Sequence, residues 1–135
     1  MTLSIDLPLR LVNASNRREH WAARAKRAKT QRVAARLAVW GPWGRYSFDN
    51  LGDVTMLDRG LVVNIIRIAP RPLDDDGAVT SAKNVRDGIA DALGLAADND
   101  PRVTWVVAQE RGKPRTYGVR IEISERAQCC PMCGK

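Results

Sequence analysis

The sequence predicts an α/β (α+β) domain: a mixed β-sheet of about four strands carrying two main helices, in the order β-α-β-α-β-β. Three observations lead there. Two stretches have helical composition or spacing. Four stretches are short, rich in Val, Ile and Leu, and bounded by Gly, Pro, Asn or Asp. The two kinds alternate before the chain ends in two consecutive strands, which points to a mixed sheet with helices packed on it.

The elements follow in order. Residues 3–7 alternate apolar and polar and stop at Pro8, so they form a short strand. Residues 17–40 are rich in Ala, Arg and Lys and hold no Gly or Pro, which favours a helix with Asn16 as its N-cap. The apolar stripe of this helix (Ala22, Val33, Leu37, Trp40) is interrupted by Lys26 and Lys29. Such a helix is only partly core and can lie along a phosphate backbone. Residues 41–53, "GPWGRYSFDNLGD", form a loop on their Gly, Pro and Asn content. "GLVVNIIRIAP" is a strand apolar on both faces, hence central. From about residue 79 to residue 93 Val85, Ile89, Ala92 and Leu93 make one helical stripe, and Gly94 stops it. Lys83, Asp87 and Asp91 fall on its solvated face. "LAADNDP" is a polar loop. "RVTWVVAQ" and "TYGVRIEIS" are strands that "ERGKPR" joins as a hairpin.

With 135 residues the chain has the size of one domain. The domain covers residues 1–125, and residues 126–135 form a cysteine-bearing tail. No apolar stretch is long enough to span a bilayer, and "MTLSIDLPLR" lacks the features of a signal peptide. The expectation is a cytoplasmic protein without membrane partners. All three cysteines, Cys129, Cys130 and Cys133, sit in the tail. Cys130-Pro-Met-Cys133 has the shape of one zinc knuckle, two or three ligands of the four that structural Zn²⁺ needs, so two chains could share a site.

Charge is unevenly placed. Residues 1–50 hold ten Lys/Arg against three Asp/Glu, residues 51–100 five against nine, and residues 101–135 seven against three. Basic flanks around an acidic centre fit a polyanion-binding surface with an embedded carboxylate cluster.

That cluster is "LDDDG", where Asp74, Asp75 and Asp76 follow the central strand. In extended geometry Asp74 and Asp76 point the same way and can face one site. As plain structure, the same residues are a turn that starts a helix and favours its dipole. A second acidic pair, Asp98 and Asp100, follows the second helix. That helix, about four turns long, carries the second pair to the far end of the sheet, so the pairs meet only by a bent path or across a dimer. Converging carboxylates need a cation, and oxygen-only ligands select Mg²⁺ or Mn²⁺. Beside a basic surface, such a metal suits phosphodiester hydrolysis.

The motifs "LDDDGAV", "AKNVRDGIADALG" and "DNDPRV", in that order, and the N-terminal "LPLRLVNASNRREHWAARAKRAKTQR" resemble the RusA-type Holliday junction resolvase family in its phage and prophage form. The likeness covers about residues 3 to 124. It implies a RusA-like fold and a Mg²⁺-dependent endodeoxyribonuclease, a homodimer that cuts four-way DNA junctions in recombination and repair. The family's Asp-x-Asp-Asn element falls on Asp74 to Gly77, with Gly77 where the family has Asn. The resemblance thus gives Asp74 and Asp76 catalytic and metal-ligating roles. Asp100, with Asp98 as the alternative, supplies the third acid, and Lys83 supplies the lysine. Asn16, Arg17, Arg18, His20, Trp21, Arg24 and Arg27 at the start of the basic helix are candidate DNA contacts. Trp21 can equally be core, and the lone His20 lacks a companion nucleophile. Two other classes of function fit the same sequence: a non-catalytic nucleic-acid-binding protein of this fold, and a zinc-tailed interaction module.

Overall fold

The computed structural model describes residues 2–13, 20–49 and 60–126, with backbone alone for 45–49. The elements are β1 (Thr2–Leu7), α1 (Trp21–Asp49), β2 (Leu61–Ala69), α2 (Asp75–Leu93), β3 (Val103–Arg111) and β4 (Gly118–Glu125). This is the α+β order expected, a mixed four-stranded sheet with two helices.

The sheet order is β1-β4-β2-β3. β2 pairs with β3 in parallel, and β4 runs antiparallel to both β1 and β2. β2 is therefore interior, as its apolar run implies. The expected hairpin between the last two strands does not form. β3 and β4 lie on opposite sides of β2, and residues 112–117 cross over its C-terminal end, where Gly112 N donates to Ala69 O at 2.9 Å. Strand order depends on long-range pairing, which a short turn-like connection does not specify.

Alternate residues of β2 (Leu61, Val63, Ile65) are buried and join Val119, Ile121 and Ile123 of β4 in one core. That face of the sheet carries both helices: α1 packs on β1, and α2 on β2 and β3. The helices also pack on each other. A Cβ on Gly88 of α2 would strike Arg32 O of α1 and stand 2.9 Å from Ala35 Cβ, so only glycine permits this approach. Arg32 seals the contact with bonds of 2.7 and 3.0 Å to Asp91. Asp91 is thus an interhelix partner, a correction to its reading as plain solvated face. The Lys83–Asp87 pair on that face is present at 4.0 Å.

Three helix boundaries differ from expectation, the first being the start of α1, at Trp21 after His20 instead of at residue 17. α1 continues to Asp49 through Pro42, where a loop was expected over residues 41–53. Proline removes one helical hydrogen bond, but the buried stripe runs Gln31, Ala35, Val39, Trp43 at intervals of four, and Trp43 inserts into the core. Leu37 and Trp40 of the anticipated stripe are exposed. α2 starts at Asp75 rather than near residue 79, because Asp74 caps it. Its stripe is as expected, with Val85, Ile89, Ala92 and Leu93 buried. Gly94, at φ 78°, ends it in the left-handed conformation that glycine tolerates. No described helix is long and apolar enough to cross a membrane.

Candidate metal and nucleic-acid site

The acidic turn is held at the C-terminal end of β2. Gln109 of β3 donates from Nε2 to Leu73 O and accepts from Leu73 N at Oε1, both at 2.8 Å. The next residue, Asp74, is the N-cap of α2, with φ −64° and ψ 168°, and its Oδ1 accepts from Gly77 N at 2.7 Å. Asp75 and Asp76 fill the first helical turn, where the helix dipole favours negative charge. All three aspartates are exposed. Among the described residues no basic side chain pairs with any of them.

This geometry replaces the extended one anticipated for the turn. Residues i and i+2 do not share a face once the helix has begun. Asp74 Oδ1 is spent on the cap, so Oδ2 is the oxygen it offers to a ligand. Gly77 also has a local reason. A Cβ there would collide with Asp74 Oδ1 and stand 2.9 Å from Asn13 Nδ2.

Asp98 and Asp100 lie at the other end of the sheet. Leu61 pairs with Val103 and Ala69 with Arg111, so β3 begins where β2 begins. Between the two acidic pairs runs α2, whose 19 residues span about 28 Å. The carboxylate of Asp98 lies 2.9 Å from Arg86 Nε, and its backbone oxygen accepts from Trp105 Nε1 at 2.6 Å. The Arg86 guanidinium also stacks over the Trp105 ring. Asp100 accepts from Arg102 N, Nε and Nη2 at 2.9, 3.1 and 2.9 Å. Those bonds hold its carboxyl at about 2. Both acids are charge-matched by neighbouring arginines.

Within one chain, then, the structure brings neither Asp98 nor Asp100 to Asp74 and Asp76. Among the described residues there is no group of three or more potential metal ligands. Lys83 stands seven residues past Asp76, about 10 Å along the helix axis. It lines a shallow groove with Val79, Thr80, Arg86 and Asp98. For a metal, the turn of a single chain offers Asp74 Oδ2 and the exposed carboxylates of Asp75 and Asp76, which the helical turn directs apart instead of onto one face. That fits Mg²⁺, which is commonly held by one or two carboxylates with waters and substrate phosphates. A cage of three acids does not fit within one chain.

Neither a protein-family model nor a curated protein matches this sequence.

The nucleic-acid candidates divide. His20 starts α1: its oxygen accepts from Ala23 N and Arg24 N, and its Nδ1 accepts from Ala22 N at 3.2 Å. That is a helix-capping role. Trp21 is 74 % exposed, so the core alternative for it is not realised, and its ring lies 5.5 Å from that of His20. Arg24 is exposed, while Arg27, with Lys26 and Thr30, lines a groove that also includes Arg10. Asn16, Arg17, Arg18, Cys129, Cys130 and Cys133 lie outside the described residues.

The structure adds a basic cavity that sequence reasoning missed. Arg10, Arg67, Arg71, Arg111 and Arg115 line it, with Tyr117, beside the segment leading to Asp74. The available signal was Arg67 itself, a charge on the inward-facing register of a central strand.

Proposed function

We propose that this protein is a Mg²⁺-dependent, structure-selective DNA endonuclease of the RusA type, acting on four-way junctions as a homodimer in recombination and repair. The observation that carries the reading is the exposed Asp74–Asp76 turn, unpaired by any described cation, which begins three residues after Arg71 of an arginine-lined cavity. Three adjacent carboxylates without counter-charge repel one another, and a divalent cation held there would relieve that repulsion. The order of the sequence motifs points the same way.

Asp74 Oδ2 and Asp76 would hold Mg²⁺, with Mn²⁺ as a substitute, which when bound would supply a water of lowered pKa and charge to stabilise phosphate oxygens. The chain itself fixes the turn through Gln109 and draws the DNA backbone with its arginines. Asp98, Asp100 and Lys83 serve one chain as structural and surface charges, and a second protomer is the route by which they join the Asp74–Asp76 turn.

The test is purified protein with synthetic four-way junctions and Mg²⁺. Wild type cuts them and Asp76→Asn does not. If Asp76→Asn cuts as well as wild type, the reading fails. A second reading, a non-catalytic nucleic-acid-binding protein of the same fold, is favoured by the separation of the two acidic pairs. It expects salt-sensitive junction binding with no cleavage in any divalent metal. The zinc-tailed interaction module rests on the three cysteines and expects Zn²⁺ to copurify with the chain.

A further inference from the structure

We infer that the cavity formed by Arg10, Arg67, Arg71, Arg111 and Arg115 is a phosphate-binding site that seats the backbone of a nucleic acid next to the Asp74–Asp76 turn. It deepens the reading above in that it takes nucleic acid as the ligand, but it requires no cleavage.

The cavity, about 570 Å³, is lined by five arginines and no carboxylate. At its floor is Arg67, 7 % exposed. A buried arginine is ordinarily matched by an anion. Here the partners are three neutral oxygens: Leu11 O at 3.1 Å from Nε, and Arg71 O at 2.9 Å and Gln109 Oε1 at 3.4 Å from Nη1. Nη2 has no acceptor among the described residues. Burial, and then the charge of Arg10, push the Arg67 guanidinium down from its ordinary value. The same two causes favour entry of an anion. Arg10, Arg71, Arg111 and Arg115 are exposed around it. Guanidinium groups match phosphate oxygens in pairs, which a lysine cluster does not.

Two features favour a nucleic-acid backbone over a small phosphorylated molecule. The aromatic ring in the lining, Tyr117, is already covered by Arg10, whose Cζ lies 4.2 Å from the ring centroid. The site therefore reads phosphate and offers no free platform for a base. Arg10 also belongs to the groove lined by Lys26 and Arg27 of α1. The basic surface is thus continuous from α1 to the residues just before Asp74, the length of a strand rather than of one phosphate.

The experiment is fluorescence anisotropy with labelled duplex and four-way junction DNA in EDTA, across a salt series, on the full chain. Arg71→Gln and Arg115→Gln, both exposed, are compared with Arg120→Gln, which pairs with Asp6 and Glu110 instead of lining the cavity. Each cavity variant is expected to weaken binding roughly tenfold and to lower the slope of log affinity against log salt by about 0.9 per lost phosphate contact. Arg120→Gln leaves both unchanged. Unaltered slopes in Arg71→Gln and Arg115→Gln overturn the proposal. A second arm follows the Arg67 Nε–H resonance during titration with inorganic pyrophosphate and with unlabelled duplex. A shift with pyrophosphate alone overturns the nucleic-acid assignment in favour of a small phosphorylated ligand. Because EDTA removes catalysis, a wild type that binds with the expected slope but cuts nothing leaves the cavity assigned and removes only the endonuclease.

Discussion

Gln109 on β3 grips Leu73 by both of its backbone polar groups, accepting from its N and donating to its O at 2.8 Å each. One side chain thereby fixes the segment that joins the arginine cavity to the acidic turn, and its Oε1 also touches Arg67. Gln109→Leu leaves two backbone groups and part of a guanidinium unmatched. The expected loss is about 1–3 kcal/mol of stability, read by chemical denaturation. Cleavage and junction affinity fall together, since turn and cavity lose the same anchor. A variant as stable and as active as wild type would show that the turn is held by something else.

Asp74 has two roles that substitution can separate. As N-cap it needs only an oxygen for Gly77 N; as metal ligand it needs a charge. Asp74→Ser keeps the cap and is expected to fold with nearly wild-type stability while losing Mg²⁺-dependent cleavage. Asp74→Ala loses both, at about 1 kcal/mol for the cap. Asp76→Asn, which caps nothing, costs only its charge at the helix N-terminus, about 0.3–1 kcal/mol, and abolishes cleavage. Thermal melts paired with the junction assay check all three. A Ser variant that still cuts removes Asp74 from the metal site.

Gly77 is fixed by space rather than by chemistry. Gly77→Ala pushes a methyl against Asp74 Oδ1 and the Asn13 amide. Overpacking of this kind costs about 1–3 kcal/mol, and the cap bond is displaced with it. The checking measurement is a urea melt beside that of Asp74→Ala. If displacing the cap accounts for part of the loss, the double variant falls short of the sum.

What the sequence made legible was local. Val85, Ile89 and Leu93 lie at helical spacing, so α2 and its glycine stop could be read directly. The order of elements followed from the same kind of pattern. Three features were not local. Trp43 carries α1 past Pro42 because the core receives its ring, and nothing in "GPWG" reports that. β4 inserts between β1 and β2, a pairing decided by residues more than a hundred positions apart, such as Leu3 and Ile123. Asp98 and Asp100 pair with Arg86 and Arg102, contacts that spacing does not report, although the length of α2 already placed both acids at the far end of the sheet from Asp74. The acidic turn was found because three aspartates in a row are conspicuous. The arginine cavity was not, because its members are spread from residue 10 to residue 115.

Asp100 makes acid stability testable. Its bonds to Arg102 lower its carboxyl from an ordinary 3.8 to about 2. A carboxyl depressed by folding contributes stability that is fully present above its unfolded value and is lost as pH falls through its folded one. Asp100→Asn is therefore expected to be less stable than wild type at neutral pH, with the gap closing between about pH 4 and pH 2. Melting curves across that range check it. A gap that persists unchanged to the acid end means that the ionised form of Asp100 contributes nothing.

Arg115 sets stability against binding. It is the non-glycine residue at positive φ, 61°, among those described. The left-handed conformation costs a side chain with a Cβ about 1–2 kcal/mol, and glycine almost nothing. Arg115→Gly is thus expected to raise the melting temperature while lowering the salt slope of DNA binding, since it removes a guanidinium from the cavity rim. Most substitutions that weaken binding do so with some loss of fold, so opposite signs in one variant isolate the charge. If Arg115→Gly melts higher and binds with an undiminished slope, the rim at residue 115 does not touch phosphate.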